Sequence, residues 1–377
     1  MRVRSIVVAM ALVSCVASAC SSSNGSSGES AGPGTSAEAK AFKTKAETIA
    51  AEASSPATVT PPADSPSIEP GKKIVTIPCS AAAQGCKIAV DEFAKAAKAV
   101  GWSTSMIDPA GDPAKMADAV NQAVSSGADG IFSVAVDSAN IKAPLEAAKK
   151  AGLQSVCFSC VDAPRLLLDT LPAEDQHHAD GYALAAQAFL DSGENLKAIV
   201  LRDNEFGNTR GREQGILDFI SDCKKAGASC ELVTQQNFLV SNIATTLPQQ
   251  VAALVRSHPK WNALFGPYDA SLLMVVPELL NNKLASKDQR VYGFDPLDQN
   301  ITWIRDSNLQ VATVASPYEW IAYAAIDQMN RAFAGKKPAE QGVVDKLITK
   351  NNAPGKGETY LGDGDPAATY LKQWGVK

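Results

Sequence analysis

The sequence predicts an α/β protein with two lobes, each built from a parallel sheet flanked by helices. Short apolar runs without polar alternation recur along the chain, and each precedes a segment with apolar residues at helical spacing. Such runs are typical of strands buried on both faces. The chain has 377 residues, which favours two domains over one.

The composition is that of an ordinary globular protein and excludes several classes. Hydrophobic residues make up 45% and charged residues 20% of the chain, which excludes a disordered chain and a coiled-coil rod. The 35 basic and 40 acidic side chains give a formal net charge of −5, without a basic cluster. Nucleic-acid binding depends on clustered Lys and Arg, so a nucleic-acid partner is not expected.

The N-terminus is typical of a secretory signal. Arg2 and Arg4 precede an uncharged, largely apolar stretch, and small residues lead into Cys20. This run is similar to the lipobox of bacterial lipoproteins, although Ala17 stands where that family usually has Leu. The resemblance implies a signal peptide over residues 1–19 and acylation of Cys20. The alternative is an ordinary signal peptide with Cys20 uninvolved.

Residues 20–72 are expected to form a lipid-anchored flexible linker. Residues 21–36 are rich in Gly and Ser, which is typical of a flexible coil. Residues 37–53 could form one solvated helix, and residues 58–71 contain four prolines and should be extended. The folded body is therefore predicted to begin near Lys72.

The first lobe begins with an apolar strand at residues 74–78 and a helix carrying Val90, Phe93 and Ala97 on one face. Asp112-Pro113 then predicts a helix start, because Asp favours the N-cap and Pro the first turn. Further strands are predicted at residues 103–107, 130–136 and 153–159, separated by helices.

The second lobe repeats this rhythm after Pro164. The expected strands and helices alternate at 166–170, 181–189, 197–201, 210–223, 230–234, 242–257, 263–266, 270–281 and 290–295. A further strand is predicted at 309–315 and a further helix at 318–333. This continuation is too long to be a simple C-terminal tail.

Three segments carry a family resemblance. Residues 108–141, the segment TRGREQGILDF, and the run from RVYGFD to TVA resemble a type I periplasmic sugar-binding protein of the ribose-binding kind. The resemblance implies two Rossmann-like lobes joined by three crossovers that close over a solute. It places lobe 1 at residues 73–161 plus 317–342, and lobe 2 at 162–316 plus 343–377. The crossovers fall near Val161–Arg165, Ala315–Tyr318 and Val343–Lys346.

Ligands of open α/β sheets bind at the carboxyl ends of the strands. That rule selects residues 80–84, 134–137, 158–160, 203–206, 268–269 and 295. The candidate ligand-binding residues are Arg212, Asp295, Tyr268, Ser159, Cys160, Phe206, Phe238, Ser80 and Gln84. Asp137 is read as a helix N-cap instead.

The resemblance implies that Arg212 and Asp295 bind sugar hydroxyls; the alternative is a structural ion pair. Tyr268 stands where the family has Asn, and Phe238 lies near a stacking Phe. The first lobe departs from the family, because CSAAAQGC lacks stacking aromatic residues and Ser159-Cys160 replaces an Asp-Arg pair. Val134 and Ser316 also replace polar family residues. A sugar is implied, but amino acids, polyols and other metabolites stay open.

Six cysteines remain after Cys15 and Cys20 are set aside, and they lie in close pairs. The pairs are Cys79 with Cys86, Cys157 with Cys160, and Cys223 with Cys230. An exported protein favours disulfides, and local pairing is the simplest of 15 connectivities. A redox-active CxxC at 157–160 and a four-thiolate zinc site are weaker alternatives.

No other motif indicates catalysis, a metal or a cofactor. Residues 174–178 could be imagined as a metal cluster, but acids at a helix start suit the helix dipole, so a solvated helix end is predicted. GxSxG, HExxH and GxxxxGK[ST] are absent from the sequence, and GDGD at 362–365 lacks EF-hand spacing.

The sequence therefore predicts a monomeric extracytoplasmic lipoprotein without enzymatic activity. It would capture a small polar solute, as the resemblance implies a sugar, and deliver it to an ABC importer with a separate ATPase. It would be periplasmic or lipid-anchored to the outer face of the bacterial cytoplasmic membrane. The alternative is a ligand-sensing lipoprotein that signals to a membrane receptor.

Overall fold

The computed structural model describes residues 36–56, 59–163 and 165–376. The predicted signal peptide, Cys20 and residues 21–35 of the predicted tether lie outside these ranges. Among the described residues, no helix is both long enough and apolar enough to span a membrane.

Helices and strands alternate along the described chain. The helices are α1 Ala37–Ser54, α2 Gln84–Ala99, α3 Pro113–Ser125, α4 Lys142–Lys150, α5 Glu174–Asp191, α6 Gly207–Lys225, α7 Leu247–Ser257, α8 Asp269–Asn281, α9 Asp298–Arg305, α10 Tyr318–Phe333 and α11 Pro366–Trp374. The strands are β1 Lys73–Ile77, β2 Ser103–Met106, β3 Gly130–Val134, β4 Gln154–Phe158, β5 Asp169–Leu171, β6 Asn195–Arg202, β7 Ser229–Asn237, β8 Ala263–Phe265, β9 Arg290–Phe294, β10 Gln310–Ala315 and β11 Lys346–Thr349.

The strands form two sheets, one in each lobe. The first has five parallel strands in the order β2-β1-β3-β4-β5. The second has six strands in the order β11-β10-β9-β8-β6-β7, and β11 alone runs antiparallel to its neighbour. Two α/β lobes with parallel sheets confirm the predicted fold class.

Helices cover both faces of each sheet, which explains the uninterrupted apolar strands. In lobe 1, α2 and α10 cover one face, where Phe93 stacks on Phe132 with ring centroids 4.3 Å apart. The other face is covered by α3 and α4. The side chain of Asp112 accepts a hydrogen bond from Ala114 N at 2.8 Å, which confirms the predicted N-cap.

Helix α1 is packed against lobe 2, so the prediction of a solvated helix was wrong. Phe42 is 6% exposed and lies between Phe189 and Phe219, at centroid distances of 5.7 and 5.0 Å. Ala46 and Ala50 continue the same buried face. Their spacing of four residues places these side chains on one side of the helix.

The proline-rich segment after α1 is ordered against lobe 1. Asp64 accepts two hydrogen bonds from the guanidinium of Arg331, at 2.9 and 3.2 Å. Trp102 donates its indole N–H to the carbonyl of Glu69 at 2.7 Å, and Val59 lies in the lobe 1 core. The described part of residues 36–72, called here the N-terminal extension, is therefore bound to both lobes.

The first passage between the lobes lies later than expected. Strand β5 pairs with β4 in the first sheet, through Val156↔Asp169 and Phe158↔Leu171. The chain thus leaves lobe 1 at residues 172–173 rather than at 161–165, because the apolar run at 166–170 extends the first sheet instead of opening the second. The second passage lies at Ser316 and Pro317, between β10 and α10.

The C-terminal helix belongs to lobe 1, whereas the sequence had assigned residues 343–377 to lobe 2. Tyr370 and Trp374 are buried in the same core as Tyr323 of α10. The third passage joins α10 to β11, and a further return passage precedes α11. Aromatic side chains at a four-residue spacing on α11 explain this docking.

Candidate functional site

The two lobes approach each other where β3 and β4 of lobe 1 end and where α6 of lobe 2 begins. Gly207, the first residue of α6, lies so close to lobe 1 that a Cβ added there would meet Val161 at 2.5 Å and Asp137 at 2.8 Å. This approach requires glycine. The candidate site is thus built from loops at the carboxyl ends of strands, as expected for open α/β sheets.

A hydrogen bond joins the two lobes at this point. The side-chain amide of Asn208 donates to the hydroxyl of Ser159 at 2.9 Å, and both residues are buried. Ser159 has a φ of 57°, which turns the chain sharply at the end of β4. The lobes are therefore in direct contact, in a closed arrangement.

Asp137 also faces lobe 2, and its side chain does not cap the turn at Ser138–Ile141. It accepts a hydrogen bond from Val161 N at 2.9 Å and lies 3.4 Å from a guanidinium nitrogen of Arg210. The N-cap reading was wrong, because the carboxylate turns towards these two donors instead.

Arg212 and Asp295 form a two-pronged ion pair in lobe 2. Two guanidinium nitrogens of Arg212 donate to the two oxygens of Asp295, at 2.6 and 2.9 Å. The Arg212 side chain is 2% exposed and that of Asp295 is 21% exposed. The guanidinium carbon lies 4.7 Å from the ring centre of Phe294. One edge of the Asp295 carboxylate therefore stays accessible, while the Arg212 guanidinium is buried beside Phe294.

The carboxylate of Asp295 keeps Arg212 charged. Burial by itself would lower the pKa of Arg212, but the carboxylate of Asp295 raises that pKa above its ordinary value. Each oxygen of Asp295 receives one hydrogen bond from Arg212, and a carboxylate oxygen can accept another. The exposed edge can therefore accept from hydroxyl groups.

Tyr268 and Phe238 are arranged differently from each other. Tyr268 donates its hydroxyl to Asp203 at 2.8 Å, so this predicted residue holds a carboxylate at the end of β6. Burial, more than any other effect, raises the pKa of Asp203. Phe238 is 3% exposed in the core of lobe 2 and packs edge-on against Tyr268 at 6.2 Å. Because the ring of Phe238 is buried against Tyr268, it is not exposed for stacking on a ligand.

The remaining candidates surround the same junction or lie at its edge. Phe206 is half-buried and directly precedes α6. Cys160 is buried, and its sulfur accepts a hydrogen bond from Val136 N at 3.3 Å. Ser80 is half-buried and Gln84, the first residue of α2, is exposed. Ser80 lies in the loop before α2 and Gln84 at the start of that helix, and neither makes a described hydrogen bond or ion pair with lobe 2.

The three predicted cysteine pairs lie within disulfide distance. In each of Cys79–Cys86, Cys157–Cys160 and Cys223–Cys230 the Cα atoms are 6.0 Å apart. The first two pairs lie beside the strand ends of lobe 1, and the third joins the end of α6 to β7.

His177 of α5 is buried at the hinge, so the prediction of a solvated helix end was wrong for this residue, while Asp175 beside it is exposed. His177 is 1% and Asp180 is 3% exposed, whereas His178 turns outward and pairs with Asp218 at 2.9 Å. The passage of the chain between the lobes at residues 172–173 turns one side of α5, with His177 and Asp180, towards the interior.

Sequence reasoning missed Asn208 as a contact residue. Its position one turn before Arg212, at the start of a helix that follows β6, could have indicated it. The signal was weak because an amide near a helix start is usually read as a cap.

The fold and this geometry agree with a known family. The family model described as a periplasmic binding protein domain matches residues 74–337. The chain belongs to this family. Because the family consists of binding proteins, the match agrees with the expectation that the chain is not an enzyme. No curated protein sequence matches the chain significantly.

Solved structures support the type I periplasmic binding protein fold. An ABC transporter solute-binding protein from Agrobacterium vitis with bound allitol is 18% identical, with a TM-score of 0.65 over 75% of this chain and 97% of that one. One from Mycobacterium smegmatis with bound glycerol is 19% identical, with a TM-score of 0.65 over 78% and 100%. The arabinose transporter component from Shewanella sp. ANA-3 is 17% identical, with a TM-score of 0.66 over 80% and 95%.

Proposed function

We propose that this periplasmic binding protein captures a sugar or polyol between its lobes and delivers it to an ABC importer. The observation that carries the proposal is the Arg212–Asp295 pair, with one partly exposed carboxylate edge beside the junction of the lobes. Structurally similar proteins with bound allitol and glycerol support polyhydroxy ligands.

The pair suits vicinal hydroxyl groups. Asp295 accepts from a hydroxyl hydrogen, while guanidinium N–H groups of Arg212 that are not used by Asp295 donate to a hydroxyl oxygen. Ser159 and Asn208 supply polar groups from the two facing lobes. A solute held by both lobes favours the closed arrangement through its differential affinity for it.

The test is a thermal-shift screen of the protein, with its disulfides intact, against pentoses, hexoses, polyols, nucleosides and amino acids. A ligand at 1,000 times its dissociation constant adds about 4 kcal/mol to the stability of the folded state. We expect one or a few sugars or polyols to raise the melting temperature. A response confined to amino acids or nucleosides would contradict the proposed ligand class.

Transport and sensing are separated by an uptake experiment. Cells that lack this chain should lose uptake of the radiolabelled ligand, and the intact gene should restore it. Normal uptake, with a lost transcriptional response to the ligand, would favour the sensory alternative.

Anchoring and disulfide formation are part of the proposal. Cys20 would carry the lipid that holds the protein at the outer face of the membrane, and a Cys20→Ala variant should appear in the soluble fraction. The six paired cysteines would form three disulfides, so alkylation without reduction should add no mass to them.

A further inference from the structure

The hinge contains buried polar groups from separate chain segments that face one another. His177 and Asp180 lie one turn apart on α5, just after the first passage between the lobes, and Asp345 lies in the third passage, just before β11. One ligand atom of each of these three residues lies within 4.8 Å of the others. These residues are called the hinge cluster below.

Most of these polar atoms have no hydrogen-bond partner in the described part of the chain. Both ring nitrogens of His177 are without one. The oxygens of Asp345 and the second oxygen of Asp180 face only each other and the hydroxyl of Ser316, and none of these contacts is a well-formed hydrogen bond. The other oxygen of Asp180 accepts from Gln176 at 2.7 Å. Buried polar groups are nearly always hydrogen-bonded, so a group of unpartnered ones that face each other indicates that something binds there.

We propose that the hinge cluster binds one divalent transition-metal ion, for which Zn²⁺ is the probe. An imidazole with two carboxylates is a ligand set that zinc accepts in proteins. A doubly charged ion also balances two carboxylates that would otherwise be buried next to each other. The hydroxyl of Ser316, buried in the second passage beside Asp345, is a further oxygen at the hinge.

One cation, Arg212, lies close to all three members of the cluster. Two of its guanidinium nitrogens donate to Asp295, whereas its Nε is buried without a partner among the described residues. A neutral imidazole nitrogen is the form that binds a metal, and both ring nitrogens of His177 are without a partner in the ranges that the structure describes. Without an ion, the two facing carboxyl groups of Asp180 and Asp345 can be joined only through a shared proton.

A metal here would join two of the passages about which the lobes rotate. It lies in the hinge and uses neither of the proposed solute contacts at Ser159 and Asp295, although Arg212, the partner of Asp295, lies beside it. The inference does not rest on the proposed function, and its test uses no sugar.

The test is calorimetry with the full chain, free of affinity tags, stripped with EDTA and with any free thiols alkylated. We expect one Zn²⁺ per chain and a raised melting temperature, with weaker binding of Mg²⁺ and Ca²⁺, which prefer all-oxygen sites. His177→Ala should weaken Zn²⁺ binding by at least tenfold. His178→Ala, one residue along the same helix, should bind as the parent does.

A second variant keeps the test decisive if His177→Ala fails to fold. Asp345→Asn retains the shape of the side chain and removes one anionic ligand, so it should also weaken Zn²⁺ binding at least tenfold, with an unchanged circular dichroism spectrum. Failure of the parent chain to bind Zn²⁺, or equal binding by parent and His177→Ala, would overturn the proposal and leave a proton-sharing carboxyl pair at the hinge.

Discussion

Asn208 of lobe 2 donates its side-chain amide to the hydroxyl of Ser159 of lobe 1, at 2.9 Å. The residue before Asn208 is Gly207, whose missing side chain allows α6 to reach the loops of lobe 1. The closed arrangement therefore depends on two adjacent residues in the first turn of α6: Gly207, which has no side chain, and Asn208, which donates a hydrogen bond.

Gly207→Val should hinder closure. The atoms nearest to its Cβ would be those of Val161 and Asp137 in the opposite lobe, with which it would collide. We expect ligand affinity to fall by at least tenfold, because the closed state is penalised and the open one is not. Calorimetry with the ligand from the screen measures the affinity, and the melting temperature without ligand measures the fold. An unchanged affinity would mean that the lobes need not come this close to bind.

Asp295→Asn should weaken ligand binding by at least tenfold, because it removes the charge that holds Arg212 and accepts from hydroxyls. The melting temperature should fall as well, since it leaves a buried guanidinium uncompensated. The matched control is Asp306→Asn, which alters an exposed pair with Arg305 at 3.7 Å. Affinity equal to the parent in the folded Asp295 variant would assign the pair a purely structural role.

Phe42→Ala should lower the free energy of unfolding by about 3 kcal/mol, because it removes a buried ring between two others. Urea unfolding measures this change. Lys40→Ala lies on the exposed side of the same helix and should change stability by less than about 0.5 kcal/mol. If both variants change the free energy of unfolding by the same amount, α1 is a solvated helix and does not pack against lobe 2.

Asp169 should make stability depend on pH. Burial, opposed by a hydrogen bond from Gln328, raises the pKa of Asp169 to about 6. The folded state therefore keeps a proton that the unfolded state loses, so stability falls as pH rises from about 4 to about 6, by at most about 3 kcal/mol.

Asp169→Asn removes that loss. Measured by urea unfolding, its stability relative to the parent should rise between these pH values and level off above them. A difference that stays constant from pH 4 to pH 8 would contradict the shifted titration.

The local pattern predicted most elements, because strands buried on both faces and helices with one apolar face leave clear signals. Helix α10 begins and ends at the predicted residues, Tyr318 and Phe333. Strand β5 was assigned to the wrong lobe, since periodicity identifies a strand without identifying its partner. The docking of α1 was missed because Phe42 and two alanines give a weak apolar face on a helix that is otherwise charged.

Only part of the candidate site was predicted, because a local sequence pattern does not show which segments meet in the fold. Arg212 and Asp295 stand in recognisable motifs, and the structure brings them together. The burial of His177 could not be predicted, because it depends on where the chain passes between the lobes and not on the residues beside it. Asn208 was missed because a contact between lobes leaves no periodic signal in either one.

The N-terminal extension sets a length limit on the hinge. The carbonyl of Ser54 is bound on lobe 2 by Asn352, at 2.9 Å, and Val59 is buried in the core of lobe 1. Five residues of chain reach at most about 17 Å, whatever their conformation. While both ends stay bound, the lobes can therefore swing apart at this edge only as far as that length allows, and wider opening has to release one end.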